Sequence, residues 1–269
     1  MPTFFSTLPG IAVIQGVVNR QIFNFTTALA PAYRPTNGII NGSLSRDTGS
    51  SDLGGATSGG NLTTPSVTST PTILRAGLLM GIITGNSTLP GQYRPSVYGL
   101  STGAITGNST VTPTVPATVA TELARQIYLA GASVNITIAG PATTGGTMQN
   151  EIVACSAGNA TAGTITIAKT VNSYVAGSLV QAADGSQDPV TVITVQNGID
   201  VTDITGKSIN QAINADLGLP ISGDLLSAMI VNLLTDDFGN TVEPSCTAYL
   251  KSRLSLPGRA TFTFSDSTN

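Results

Sequence analysis

The sequence predicts a mainly β protein: a β-rich body with a few short helices, an extended N-terminal arm and a mixed α/β C-terminal part. Three observations carry this. From Ile73 to Ile199, short apolar runs rich in Val, Ile and Thr are separated by Gly, Pro and Asn turns. Ahead of them, residues 1–72 are dominated by Ser, Thr, Gly and Asn, too polar to bury a core of their own. Beyond Asp200, helix-spaced leucines mix with strand-like text. The expected units are therefore an arm over 1–72, a body over 73–199 and a C-terminal subdomain over 200–269.

In the arm, apolar clusters occur at Phe4-Phe5, Ile11-Val13-Ile14 and Ile22-Phe23-Phe25. They anchor an extended segment either on a neighbouring subunit or on the chain's own core, and the sequence leaves both open. On the first reading Phe4, Phe5, Ile22 and Phe23 fill apolar grooves of a partner, while Arg20, Arg34 and Arg46 meet its carboxylates. The body from Ile73 would then fold without the arm.

The body opens with ILRAGLLMGIITGNSTLPGQYRP, Ile73 to Pro95. Leu74, Leu78, Met80 and Ile82 are core candidates, and Tyr93 and Arg94 are expected nearer the surface. Gly77, Gly81 and Gly85 permit close strand packing and turns. They form no phosphate cradle, because neither GK[ST] nor GxGxxG follows a strand here. The hexapeptide ITGNST occurs at Ile83–Thr88 and again at Ile105–Thr110, each time as a strand exit with the same expected turn. ATVATELARQIYLAG predicts a helix with Val119, Leu123 and Ile127 on one stripe and Gly131 as its stop. SVNITIAG and GTITIAKTV alternate as strands, with Val134, Ile136 and Ile138 on one face and Ile165 and Ile167 on another.

In the C-terminal part, KSINQAINADLGL has helical content. Leu225, Met229 and Leu233 recur every four residues, predicting a helix with Ser222 as its cap. PSCTAYLKSRLS predicts a short helix with Pro244 near its start. RATFTFSD predicts a closing strand with Phe262 and Phe264 on one face.

Composition narrows the chemistry. Of 269 residues, 41% are apolar but only 9% charged, against roughly 25% in ordinary soluble domains. So few charges suit a surface covered by neighbours in an assembly. Histidine is absent, which removes Ser-His and Cys-His nucleophiles and most zinc or iron sites. Gly99-Leu100-Ser101-Thr102-Gly103 matches the nucleophile-elbow pattern, yet no triad can be completed without His, and a turn is expected. Cys155 and Cys246 are too few and too separated for a metal or redox motif and read as small buried hydrophobes, with their pairing left open. Asp236-Asp237, and Asp184 with Asp188, lack calcium-loop spacing and read as turn and helix-end residues. No cofactor is expected.

Through Thr121 five arginines face two aspartates, a net +3, whereas the remainder carries six basic and twelve acidic residues, a net −6. That is too little clustered positive charge for a nucleic-acid footprint. No run of about eighteen apolar residues exists for a membrane helix, and the first residues lack the basic start of a targeting segment. Seven Asn-X-Ser/Thr sequons follow from the Asn, Ser and Thr content alone.

Three passages together carry a family resemblance. Leu74-Arg75-Ala76-Gly77 leading through an apolar strand to Gly91-Gln92-Tyr93-Arg94-Pro95 resembles the opening of tailed-bacteriophage head decoration (capsid cement) proteins. SYVAGSLVQAADGSQDP, Ser173 to Pro189, is similar to an element of larger head proteins of that type, and AYLKSRLSLPGRATFTFSD to their C-terminal helix and strand. The matches are scattered from Ile73 onward and leave the first seventy or so residues unmatched. The resemblance implies a β-rich virion protein, with no enzymatic activity, that binds the outer capsid surface and stabilises contacts between major capsid subunits. It also implies a homotrimer partnered by the major capsid protein, with no nucleic acid or membrane partner, assembled in the host cytoplasm. A phage tail, fibre or baseplate protein shares the same composition and is the alternative. A major capsid protein fits less well, since no long charged spine helix is visible. A two-carboxylate glycosidase fits least, because Glu122, Glu151 and Glu243 lie in no catalytic context.

Overall fold

Short alternating strands build two five-stranded sheets, and one helix covers each face of the sheet at the molecule's centre. The computed structural model describes residues 22–24, 29, 31–33, 38–48, 73–86, 88–143, 146–194, 198–201, 215–217, 219–255 and 261–266, with backbone alone at 200 and 215–217. Strands β1 (Ala32–Tyr33) and β2 (Gly38–Ile40) come from the expected arm. The glycine-rich opening supplies β3 (Ile73–Leu74), β4 (Leu79–Ile82) and β5 (Tyr93–Pro95), followed by β6 (Val97–Leu100). Helix α1 (Ala117–Ala130) precedes β7 (Val134–Pro141), β8 (Met148–Asn159) and β9 (Thr164–Ile167). Then come β10 (Leu179–Gln181), β11 (Pro189–Val192) and β12 (Ile199–Asp200). The C-terminal part adds β13 (Ala215–Leu217), β14 (Pro220–Leu226), helix α2 (Pro244–Leu254) and β15 (Thr261–Ser265). The fold is mainly β, as the sequence predicts.

The central sheet runs β6–β10–β7–β8–β9 and the second runs β11–β4–β5–β2–β13, with a smaller β1–β14–β15 sheet and a β12–β3 pair. Alternation on β7 sorts side chains to two faces. Ile136 and Ile138 meet Val153 and Cys155 of β8, Ile165 and Ile167 of β9, and the Val119 and Leu123 stripe of α1. On the opposite face, Ala139 and Leu179 join Cys246, Leu250 and Leu254 of α2. Helix α1 lies tight on the sheet because Gly158 has no side chain: a Cβ there would stand 2.0 Å from the Ala120 carbonyl oxygen. The helix ends at Gly131, whose φ of 63° lets its N–H bond the Tyr128 carbonyl, so the expected stop signal operates. Helix α2 starts on Pro244, and Glu243 caps it by accepting from the Ser245 N–H at 2.7 Å.

The second sheet surrounds another core of Ile40, Leu74, Leu78, Met80, Tyr93, Val190, Ile193 and Leu219, with Ile82 packed at its margin. Here Gly81 is the close approach, since its Cβ would meet the Ser186 carbonyl oxygen at 1.9 Å.

Several expectations are corrected. Tyr93 and Arg94 are buried, at 3% and 4% exposure, because β5 is an interior strand between β4 and β2. The helix expected through Leu225, Met229 and Leu233 is instead strand β14 and a single 3₁₀ turn, Ser227–Met229, and Ser222 lies within the strand. β14 is paired on both sides, antiparallel to β1 and parallel to β15, so its apolar run is buried by neighbours rather than by a helical face. Ala215–Leu217, at the end of the other expected helix, is strand β13, and the preceding Lys207–Asn214 lies outside the described residues. The two ITGNST copies both bury their isoleucine but turn differently. Asn86 accepts the Thr88 N–H and hydroxyl, whereas in the second copy the Thr110 hydroxyl accepts the Thr106 N–H. The limits drawn at 72 and 199 do not separate folding units, because both mixed sheets draw strands from either side of them.

Candidate functional site

Of the expected contact residues, Phe4, Phe5, Arg20 and Arg34 lie outside the described residues. Ile22 and Phe23 do not face outward: at 3% and 4% exposure they belong to the chain's own core with Leu225 and Phe262. Phe23 bridges to Leu225, and the Leu226 N–H bonds the Ile22 carbonyl at 2.9 Å. Gly223 leaves the space for the Phe23 ring, which a Cβ would approach to 2.4 Å. Arg46 is likewise interior, at 5% exposure. For Ile22 and Phe23, insertion into a neighbour is replaced by packing within the subunit, because ordering them buries apolar surface that β14 and β15 already offer, whereas Arg46 turns inward onto the Gly42 and Ser45 carbonyls.

What the fold does bring together is a buried polar cluster between α1, β5 and β6. Arg125 grips Glu122 with Nε and a terminal nitrogen, both at 2.6 Å, and Gln126 donates to the same carboxylate at 2.7 Å. Tyr98 donates to Gln126 at 2.9 Å and accepts from Arg94, whose guanidinium also lies 5.4 Å from the Tyr98 ring centre. Arg94 reaches Asp184 at 2.9 Å, and Asp184 accepts from Ser186 as well. Arg125 also donates to the Ser43 carbonyl, and one terminal nitrogen of Arg46 donates to the Gly42 and Ser45 carbonyls.

Burial opposes each of these charges, and their neighbours decide the outcome. At Glu122 burial pushes the pKa up, but the charge and hydrogen bonds of Arg125 outweigh it and hold the carboxyl below its usual range. Asp184 is depressed in the same way, with Arg94 and Ser186 overcoming burial. Burial drives the Tyr98 hydroxyl up. Arg46 goes down, to about 9, through burial and then the nearby Arg125 charge.

One side of the cluster opens into a cleft of about 750 Å³, whose lining includes Ser43, Asn86, Arg94, Gln126, Asn135 and Asp184. The last turn of α1 forms part of its rim through Leu129 and Ala130.

The residues weighed and set aside for catalysis or metal binding are engaged in structural contacts. Ser101 is 1% exposed, and its backbone bonds Ser178. Glu151 accepts from the Val171 and Asn172 N–H groups, and Glu243 caps α2. Asp236 closes the turn to Asn240. Asp237 bonds Arg75, and Asp188 accepts from Tyr249 and pairs with Arg253. Cys155 and Cys246 are both free and buried, in cores on opposite faces of the central sheet, and burial pushes each thiol up to about 12. Among the described residues no group of three His, Cys, Asp or Glu is placed to hold a metal ion, and no helix is long and apolar enough to cross a membrane.

Sequence reasoning missed Arg94, Tyr98, Gln126 and Asp184 as one cluster. Only the Glu122, Arg125 and Gln126 spacing, three and four residues apart on a helix, signalled it. No protein-family model, curated protein or solved structure matches the chain.

Proposed function

We propose that this is a non-enzymatic structural virion protein that binds the outer surface of a phage capsid and stabilises contacts between major capsid subunits. The observation that carries the reading is that the three passages with the family resemblance interlock as one body. Gly81 of the first packs on Ser186 of the second, and Arg94 bonds Asp184 across the same junction. Gly177 of the second lies against the chain just before α2, where a Cβ would meet the Thr241 carbonyl at 2.9 Å. Tyr249 and Arg253 of the third bond Asp188 of the second. Segments scattered in sequence thus act as a single unit, which is how a shared fold constrains them.

The low charge and the commitment of each acidic candidate to capping or pairing suit a role performed by surface area. Repeated over a lattice, modest contacts sum to strong attachment without a chemical site. A homotrimer at the capsid surface, with the major capsid protein as its partner, is the assembly this reading calls for. Purified protein mixed with expanded shells should co-sediment with them and raise the temperature or osmotic shock at which they rupture. Equal rupture of decorated and bare shells refutes the stabilising role. Attachment to purified tails instead of shells would favour the tail, fibre or baseplate alternative.

A further inference from the structure

The buried cluster is electrically unbalanced. Arg46, Arg94 and Arg125 bring three positive charges, while Glu122 and Asp184 bring two negative ones. Both carboxylates are already occupied, Glu122 by Arg125 and Gln126, and Asp184 by Arg94 and Ser186. Among the described residues no carboxylate bonds Arg46, whose terminal nitrogen meets only the Gly42 and Ser45 carbonyls. The Nε donors of Arg46 and Arg94, on side chains at 5% and 4% exposure, have no hydrogen-bond partner among the described residues. An interior cation without a counter-ion is costly. Arg94 lines the cleft, and Arg46 stands beside the Ser43 and Leu44 stretch that forms one wall of it.

We propose that this cleft binds the carboxylate of an acidic peptide segment from a partner protein, with Arg94 as the docking cation. A single negative charge balances the cluster, whereas a phosphate would bring excess charge beside Asp184. Around it, Asn86 and Asn135 offer amide groups that match a peptide backbone. The lining includes no aromatic ring on which a base or sugar would stack. At the other rim, the carbonyl end of α1 presents partial negative charge, which suits peptide N–H groups and directs the carboxylate toward Arg94. The inference stands apart from the capsid reading, since it concerns the isolated chain and its ligand chemistry.

The test is a calorimetric titration of the full-length protein with acetyl-Gly-Glu-Gly-amide and its glutamine counterpart. The acidic peptide should bind roughly tenfold more tightly than the neutral one, as a charge-assisted contact requires. Asn135→Asp, at an exposed position on the cleft lining, should weaken it several-fold while the melting temperature stays unchanged. Equal affinity for the two peptides, absence of binding by the acidic one, or indifference to Asn135→Asp would each overturn the proposal. Because all arms use the isolated chain, failure here leaves the result of shell sedimentation untouched.

Discussion

At Gly81 a single hydrogen does the work of a packing contact. The strand conformation there is ordinary, and the constraint is the Ser186 carbonyl oxygen, 1.9 Å from where a Cβ would be. Gly81→Ala should therefore push β4 from the 186–189 turn and destabilise the protein by about 1–3 kcal/mol, the usual cost of overpacking; a denaturant melt measures it. Ser101 gives the opposite case. Its hydroxyl is buried without a hydrogen-bond partner among the described residues, so Ser101→Ala should leave stability unchanged or slightly raised. A loss of hydrolytic activity on that change would contradict the non-enzymatic reading. Periodicity marks Met80 and Ile136 as buried, but Tyr93 and Arg94 look like surface residues in sequence. Their burial depends on β2 pairing alongside β5, a neighbour more than fifty residues away in the chain.

At the scale of elements, both helices were legible from one end signal each. Helix α1 has its stripe and its stop at Gly131, and α2 its start at Pro244. The stretch from Ser222 to Leu233 was not, because spacing by four cannot separate a helix from a strand buried on both faces. Replacing the cap, Glu243→Ala, should cost about 1 kcal/mol, readable as a lower midpoint in urea. The pH dependence of α1 follows from Glu122. Its folded pKa is depressed, so the carboxylate stabilises the protein above its unfolded value of about 4.3 and the contribution is lost as pH falls through the lower folded value. The wild-type melting temperature should drop on acidification from about pH 6 to about pH 3. Glu122→Gln, by breaking the buried pair, should cost about 3–5 kcal/mol near neutrality and show a shallower acid slope. Asp184→Asn, at the cluster's more accessible end, should flatten the slope less. An identical acid slope in wild type and Glu122→Gln would dismiss the ion cluster as a stability element.

For the whole molecule, the mainly β class and strands β4, β7 and β9 of the body were legible, because alternation and turn residues are local signals, whereas β8, β10 and β11 were not marked. The partition into arm, body and subdomain was not, because it depends on long-range pairing that low-complexity text does not advertise. Ile22, Phe23, β1, β2 and Arg46 all pack into the fold, so removing residues 1–48 should abolish the single cooperative melt rather than leave an intact body from Ile73. Scanning calorimetry of the shortened chain decides this. The cleft-lining cluster was illegible for the same reason, since Ser43, Arg94, Gln126 and Asp184 meet only when four parts of the chain close together.

The capsid-surface reading is tested most directly by electron cryomicroscopy of expanded shells incubated with the purified protein and washed. The account predicts added density on the outer surface, repeated at the junctions between major capsid subunits and fitted by this fold with its central sheet and two helices. Shells indistinguishable from untreated ones, with the protein recovered in the wash, would contradict it.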